Sequence, residues 1–152
     1  MQGPFTTPIR VLIVDDHALY RRGLLTILET EEGIDVVGEA ADGVEAVAQA
    51  ERLVPDVVVM DLNMPVMGGA QATQRISTEL PQTRIIILSS LGDLVAMGRF
   101  AGASECLDKG CTPEELVLTI RTVHASRSAA APEAAADHAA PIEMLAARVG
   151  LS

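Results

Sequence analysis

Apolar stretches of two kinds alternate along this chain. Continuous runs rich in β-branched residues are typical of buried parallel strands, and three of them occur at 11–14, 56–60 and 84–88. Weaker runs at 34–39 and 104–107 predict two further strands nearer the edges of the sheet. Between the runs, apolar residues recur at the three- and four-residue spacing of helices. The region 9–125 therefore predicts five strand–helix units.

The apolar positions between the first strands predict which helix faces are buried. The first helix is expected to bury a stripe of four residues, Tyr20, Leu24, Ile27 and Leu28. The second, after the turn at Asp42-Gly43, is expected to bury Val44, Val47 and Ala48.

The last helix has the clearest predicted start. Thr112 is a favourable N-cap, Pro113 suits the first helical position, and Glu115 completes a capping box. Its buried stripe is predicted to consist of Leu116, Ile120 and Val123, and the helix to span 113–125.

Five such units predict an α/β fold with a doubly wound sheet. Right-handed crossovers leave few topologies for a parallel sheet, so we expect a five-stranded, flavodoxin-like sheet of order 2-1-3-4-5. That order places the carboxyl ends of the first and third strands side by side at the switch point.

Composition changes on both sides of this predicted domain. Residues 1–8 read as a flexible lead, without the charged and apolar regions of a signal peptide. From 126 the chain is rich in Ala, Pro and Ser and predicts a linker reaching 152. Within it, Ile142, Leu145 and Val149 indicate a short amphipathic segment.

Charge and composition exclude several classes of function. The 152 residues carry a net charge of −10, which argues against direct nucleic-acid binding by this chain. Aromatic residues make up 2%, so the core must be aliphatic. The two cysteines fit neither a disulfide framework nor a metal motif, which favours reduced thiols in the cytoplasm. No apolar run is long enough to span a membrane.

Polar residues follow the predicted strands where each one ends. Asp15 and Asp16 follow the first strand, Asp61 the third and Ser89 the fourth, while Lys109, the single lysine, follows the fifth. The carboxyl ends of parallel strands meet at one edge, where ligands bind. Two adjacent carboxylates are costly without a cation, and Mg²⁺ prefers oxygen ligands. The sequence therefore predicts a pocket for Mg²⁺ and a phosphoryl group.

These residues resemble the response-regulator receiver domain, most closely that of the NarL/FixJ subfamily with its LuxR-type helix-turn-helix. The resemblance rests on motifs in order along 9–125: Val-Asp-Asp-His (14–17), Met-Asp-Leu-Asn-Met-Pro (60–65), Gly69, Ser89, Ala-Gly-Ala-Ser (101–104) and Lys109. Pro65 and Gly69 would shape the loop after Asp61, and His17 reads as a helix-start residue.

The resemblance implies a Mg²⁺ site. Asp16 and Asp61 would bind the ion directly, Asp15 chiefly through water, and Asn63 through its backbone carbonyl.

It also implies the chemistry of the site. Asp61 would be the nucleophile that becomes phosphorylated. Ser89 would donate a hydrogen bond to a phosphoryl oxygen, and Lys109 would bridge Asp61 and that group as a compact charge.

The expected function is two-component signalling, with a sensor histidine kinase as partner and a homodimer that can form on phosphorylation. The expected output is transcription through a DNA-binding domain that this chain does not contain. A stand-alone receiver acting by protein–protein contact is an alternative, as is a Mg²⁺-dependent phosphatase using an aspartyl phosphate. The phosphatase would require a second acid, acting as general acid, at the position of Asn63. A nucleotide- or flavin-binding domain would want a Gly-rich loop after the first strand.

Three features depart from the usual family pattern. The segment between Ser89 and Lys109 is two residues shorter, Cys106 stands where many relatives have a switching aromatic, and Gly110 replaces a common proline. The signalling face is therefore expected to differ more than the catalytic residues.

Overall fold

The computed structural model describes residues 7–97 and 102–130, with the backbone alone at 95–97 and 127–130. Strands and helices alternate throughout, as the hydrophobic pattern predicts. The strands are β1 (Ile9–Val14), β2 (Ile34–Ala40), β3 (Val57–Met60), β4 (Arg84–Ser89) and β5 (Glu105–Asp108). The helices are α1 (Ala18–Glu29), α2 (Gly43–Leu53), α3 (Gly69–Glu79), α4 (Leu91–Met97) and α5 (Pro113–Ala130).

The strands form one parallel sheet in the order β2-β1-β3-β4-β5, which confirms the predicted topology. The continuous apolar runs form the three central strands, and the two weaker runs form the edges. β3 lies between β1 and β4, with Val58 paired to Leu12 on one side and to Ile85 on the other. This register aligns the carboxyl ends of the central strands.

Each central strand packs against helices on both sides, because successive side chains point to opposite faces. Leu12 and Val14 belong to a core cluster with α2 and α3. Val11 and Ile13 belong to a second cluster with α1 and α5. Both clusters are built almost entirely from aliphatic side chains, as the low aromatic content requires.

Helix α5 begins with the predicted capping box. The Thr112 N–H donates to Glu115 Oε1 at 2.9 Å, and the Glu115 N–H donates to Thr112 Oγ1 at 3.1 Å. Its predicted stripe, Leu116, Ile120 and Val123, is buried. The helix continues to Ala130, past residue 125 at which the sequence predicted its end. The rest of the predicted linker and the amphipathic segment lie outside the described residues.

The buried face of α2 differs from the prediction. Val44 is 50% exposed and Ala48 is also exposed, whereas Gly43, Ala46, Val47 and Ala50 are buried. The N–H of Gly43, the first residue of the helix, donates to the Met67 carbonyl at 2.9 Å. This contact fixes the rotation of the helix, so the buried stripe starts at Gly43, one residue earlier than predicted.

Several strand boundaries differ by one or two residues: β1 starts at Ile9, β3 starts at Val57, β4 ends at Ser89 and β5 ends at Asp108. β2 extends one residue further than predicted, to Ala40, and β5 starts one residue later, at Glu105. None of the described helices combines the length and apolar composition needed to cross a membrane.

Candidate functional site

The ends of β1 and β3 place two carboxylates next to each other. Val14 is paired with Met60, and the Asp61 N–H donates to the Val14 carbonyl at 3.0 Å. Asp15 and Asp61 each follow directly, so both leave the sheet at the switch point. They are 1% and 3% exposed, which is unusual for ionisable residues and indicates a functional site.

Asp16 and His17 complete a group of ligand-type side chains with these two acids. One ligand atom from each of the four residues lies within 4.8 Å of all the others. His17 is the N-cap of α1, and its backbone N–H donates to Asp15 Oδ1 at 2.8 Å. Its ring Nδ1 lies 3.2 Å from Asp15 Oδ1 and 3.2 Å from Asp16 Oδ1. His17 therefore starts the helix, as expected, and also faces both carboxylates.

β4 and β5 bring a hydroxyl and an ammonium to the same edge. Ser89, fully buried, donates from Oγ to Asp61 Oδ1 at 2.8 Å. The Lys109 N–H donates to the Ser89 carbonyl at 2.8 Å, which positions the lysine beside it. Lys109 Nζ lies 2.8 Å from Asp15 Oδ2 and 3.4 Å from Asp61 Oδ2. The ammonium thus contacts two of the three carboxylates and is closer to Asp15.

The charges of this pocket do not balance. Asp15, Asp16 and Asp61 face the single ammonium of Lys109, which leaves two negative charges uncompensated. Partial burial by itself would lower the pKa of Lys109. The hydrogen bond that Lys109 donates to Asp15 and the charges of Asp61 and Asp15 outweigh this effect and raise the pKa of Lys109 above its ordinary value. The lysine is therefore held in its charged form, and the remaining negative charge favours a divalent cation.

The donor atoms fit Mg²⁺, which prefers oxygen ligands. Asp16 Oδ1 has almost no solvent contact and accepts no hydrogen bond from the described residues, although His17 Nδ1 lies 3.2 Å away, so it can bind an ion directly. Both oxygens of Asp15 are already engaged, Oδ1 by His17 and Oδ2 by Lys109. A direct role for Asp16 and a water-mediated one for Asp15 stay predictions.

The loop after Asp61 is held close to the strand by glycine. The Gly69 N–H donates to the Leu62 carbonyl at 2.8 Å. A Cβ at Gly69 would lie 1.9 Å from the Asp61 carbonyl oxygen, so only glycine fits here. Asn63 is exposed in this loop, and among the described residues its side chain makes no hydrogen bond to the carboxylates. Val66 has a φ of 69°, which is uncommon for a β-branched residue.

Two residues of α1 contact the site in ways that the sequence did not predict. The ring of Tyr20, expected only as core, has its centroid 4.5 Å from Lys109 Nζ. Burial, the nearby Cys111 thiol and the carboxylates raise the pKa of Tyr20 to about 12. The Arg21 guanidinium donates to the Asp15 carbonyl and, at 2.9 Å, to Glu39 Oε1. Their positions in the first turn of α1, which follows the loop after β1, were the available signal.

The segment that the sequence marked as unusual is described only in part. Cys106 is 1% exposed and packs in the core cluster that contains α2 and α3. Residues 98–101, including Gly98, lie outside the described residues.

Comparison with known proteins gives consistent matches. The model of the response regulator receiver domain family matches residues 11–121. Response regulator UvrY of Escherichia coli K12 is 43% identical over 121 residues, covering 78% of this chain and 56% of UvrY. The chain therefore spans about half the length of the curated relatives that it matches.

Solved structures of similar chains agree. A LuxR-family two-component response regulator from Aurantimonas is 38% identical with a TM-score of 0.70, covering 80% of this chain and 88% of that one. A chain in the CheX–CheY–BeF3–Mg²⁺ complex from Borrelia burgdorferi is 29% identical with a TM-score of 0.67, covering 77% and 90% respectively.

Proposed function

The chain belongs to the response regulator receiver domain family, and from this membership we propose that it accepts a phosphoryl group on Asp61 in a Mg²⁺-dependent reaction. The observation that supports this most directly is the environment of the Asp61 carboxylate. One oxygen accepts a hydrogen bond from Ser89 at 2.8 Å, and the other lies 3.4 Å from the Lys109 ammonium. The side chain is buried, so it is oriented and shielded from bulk water.

In the proposed reaction, a carboxylate oxygen of Asp61 forms a bond to phosphorus as the bond from phosphorus to the donor breaks. With a phosphohistidine donor, the P–N electron pair returns to the imidazole nitrogen, which takes up a proton. The product is an aspartyl phosphate, a mixed anhydride. Phosphoryl transfer needs positioning and charge stabilisation more than covalent help, and the four strand ends provide the positioning.

Lys109 and Ser89 would then stabilise the product. The ammonium neutralises part of the charge that the phosphoryl oxygens bring, and its raised pKa keeps it charged at neutral pH. The Ser89 hydroxyl, which donates to Asp61 here, can turn to a phosphoryl oxygen within the same pocket.

Asp15, Asp16 and Asp61 would hold the metal, together with the Asn63 carbonyl. When bound, Mg²⁺ would supply charge neutralisation for the carboxylates and the incoming phosphoryl group. The complex from B. burgdorferi contains Mg²⁺ and beryllofluoride, a phosphoryl mimic, which supports assigning both ligands to this site.

A sensor histidine kinase is the proposed donor, and the cytoplasm the proposed location. UvrY is nearly twice as long as the region that matches this chain, and a LuxR-family regulator is among the similar solved structures, so we propose control of transcription as the output. We propose that a homodimer formed on phosphorylation links the modification of Asp61 to the control of transcription.

Intact-mass spectrometry after incubation with acetyl phosphate and Mg²⁺ tests the central proposal. The protein should gain a single phosphoryl group, and Asp61→Asn should abolish the gain. Asp35→Asn, on the exposed side of β2, is the matched control and should label like the parent. Full labelling of Asp61→Asn would contradict the assignment. Continuous phosphate release from many small esters would favour the phosphatase instead.

A further inference from the structure

The acidic pocket contains a nitrogen donor that phosphoryl transfer does not use. The ring of His17 lies on the open side of the pocket with 68% of its side chain exposed. Its Nδ1 is 3.2 Å from Asp15 Oδ1 and 3.2 Å from Asp16 Oδ1. His17 makes no side-chain capping bond to α1, and its ring contacts the two carboxylates instead, with a hydrogen bond to Asp15 Oδ1.

These distances match the spacing of ligands around one metal ion. Donors about 2.1 Å from an ion are about 3.0 Å apart when adjacent in an octahedron and about 3.4 Å apart in a tetrahedron. The 3.2 Å between Nδ1 and Asp16 Oδ1, the proposed direct ligand, falls between these values. Opposite ligand atoms of an octahedron are about 4.2 Å apart. The ligand atoms of Asp15, Asp16, His17 and Asp61 all lie within 4.8 Å of one another, so they need to move only slightly closer to surround one ion.

The backbone holds the ring in this position. The His17 N–H donates to Asp15 Oδ1, which ties the residue to the carboxylate that it faces. The Arg21 N–H donates to the His17 carbonyl at 2.9 Å, the first bond of α1. Both main-chain groups of His17 are therefore fixed, which keeps the residue at the edge of the acidic pocket.

Nitrogen changes which ions such a pocket prefers. Mg²⁺ takes oxygen ligands and retains water, whereas imidazole is a favourable ligand for Co²⁺, Ni²⁺ and Zn²⁺. We propose that His17 Nδ1 is an additional metal ligand, which gives this site a preference for divalent transition ions over Mg²⁺ beyond that of the carboxylates alone. The inference rests on the metal site of the proposed function and extends it to a second class of ion that competes for the same pocket.

Calorimetric titration of the full chain, free of any polyhistidine tag, with Mg²⁺ and with Co²⁺ tests this. His17→Ala should weaken Co²⁺ binding about 10-fold or more and leave Mg²⁺ binding within about 2-fold. The visible spectrum of bound Co²⁺ should change in the same variant, since a nitrogen ligand is replaced by water. His124→Ala, on α5, is the matched control and should leave both affinities unchanged.

The outcomes separate the two proposals. Equal Co²⁺ affinity and an unchanged spectrum in His17→Ala, with Mg²⁺ still bound, would overturn the role of His17 alone. Failure of the parent protein to bind either ion would overturn the metal site itself. Retained Mg²⁺ binding in His17→Ala also shows that the variant is folded, because the carboxylates come from two different strands.

Discussion

Replacing Gly69 with alanine should damage both the fold and the site. The new Cβ would lie 1.9 Å from the Asp61 carbonyl oxygen and 2.8 Å from both Asp61 C and Leu62 Cα. The oxygen contact must open by about 1.1 Å to reach even 3.0 Å, below which real contacts essentially never occur. All three atoms belong to the backbone, so no side chain can turn away. Overpacking costs about 1–3 kcal/mol, and this site should lie at the upper end.

Urea unfolding measures that cost. A loss of about 3 kcal/mol with a slope of about 1.5 kcal/mol per molar lowers the midpoint by about 2 M. Phosphorylation should also slow about 100-fold, because a shift of about 1 Å in the nucleophile has that effect.

Gly23→Ala is the matched control. Gly23 lies inside α1 with nothing within 4 Å of the added Cβ. It should gain about 0.5–1 kcal/mol of stability from helix propensity. A Gly69→Ala variant as stable and as reactive as the parent would refute the packing argument.

Three further outcomes follow from the contacts at the site. Asp16→Ala should weaken Mg²⁺ binding more than Asp15→Ala in a calorimetric titration, because only Asp16 has a buried oxygen without a hydrogen-bond partner; equal losses would count against this geometry. Lys109→Arg should label with acetyl phosphate as slowly as Lys109→Ala, since a planar fork cannot replace a compact ammonium; recovery of the rate would show that charge alone suffices. Tyr20, the single tyrosine, should ionise in the folded protein near pH 12 and in denaturant near its ordinary pKa of 10.0, as followed by tyrosinate absorbance. Because the folded pKa is raised, its contribution to stability is complete below pH 10 and lost as the pH rises towards 12; a folded midpoint near 10 would contradict the burial.

The strand-end positions could be predicted because a parallel sheet aligns them by topology alone. Asp15, Asp61, Ser89 and Lys109 each follow a continuous or recognisable apolar run, and strand order then makes them neighbours. The capping box of α5 could be predicted for a different reason: its signal is local and is contained in four consecutive residues, 112–115.

Contacts that depend on the rotation of a helix could not be read in the same way. Val44 looked like a core residue, but the approach of Gly43 to the Met67 carbonyl turns it outward. The stacking of Tyr20 against Lys109 depends on the distance between α1 and the end of β5, which no local pattern encodes. The position of the His17 ring between two carboxylates is likewise a property of the assembled loop.

The charge balance of the pocket depends on an edge strand. β5 is only four residues long and hydrogen-bonds only to β4 among the described strands, while the acids follow the more central β1 and β3. Short edge elements open locally at lower free energy than central ones. Each such opening would carry the Lys109 ammonium away and leave the acids facing one another. While β5 is locally unfolded, the pocket would therefore bind cations more strongly. Hydrogen exchange of the Lys109 amide would report how often β5 opens.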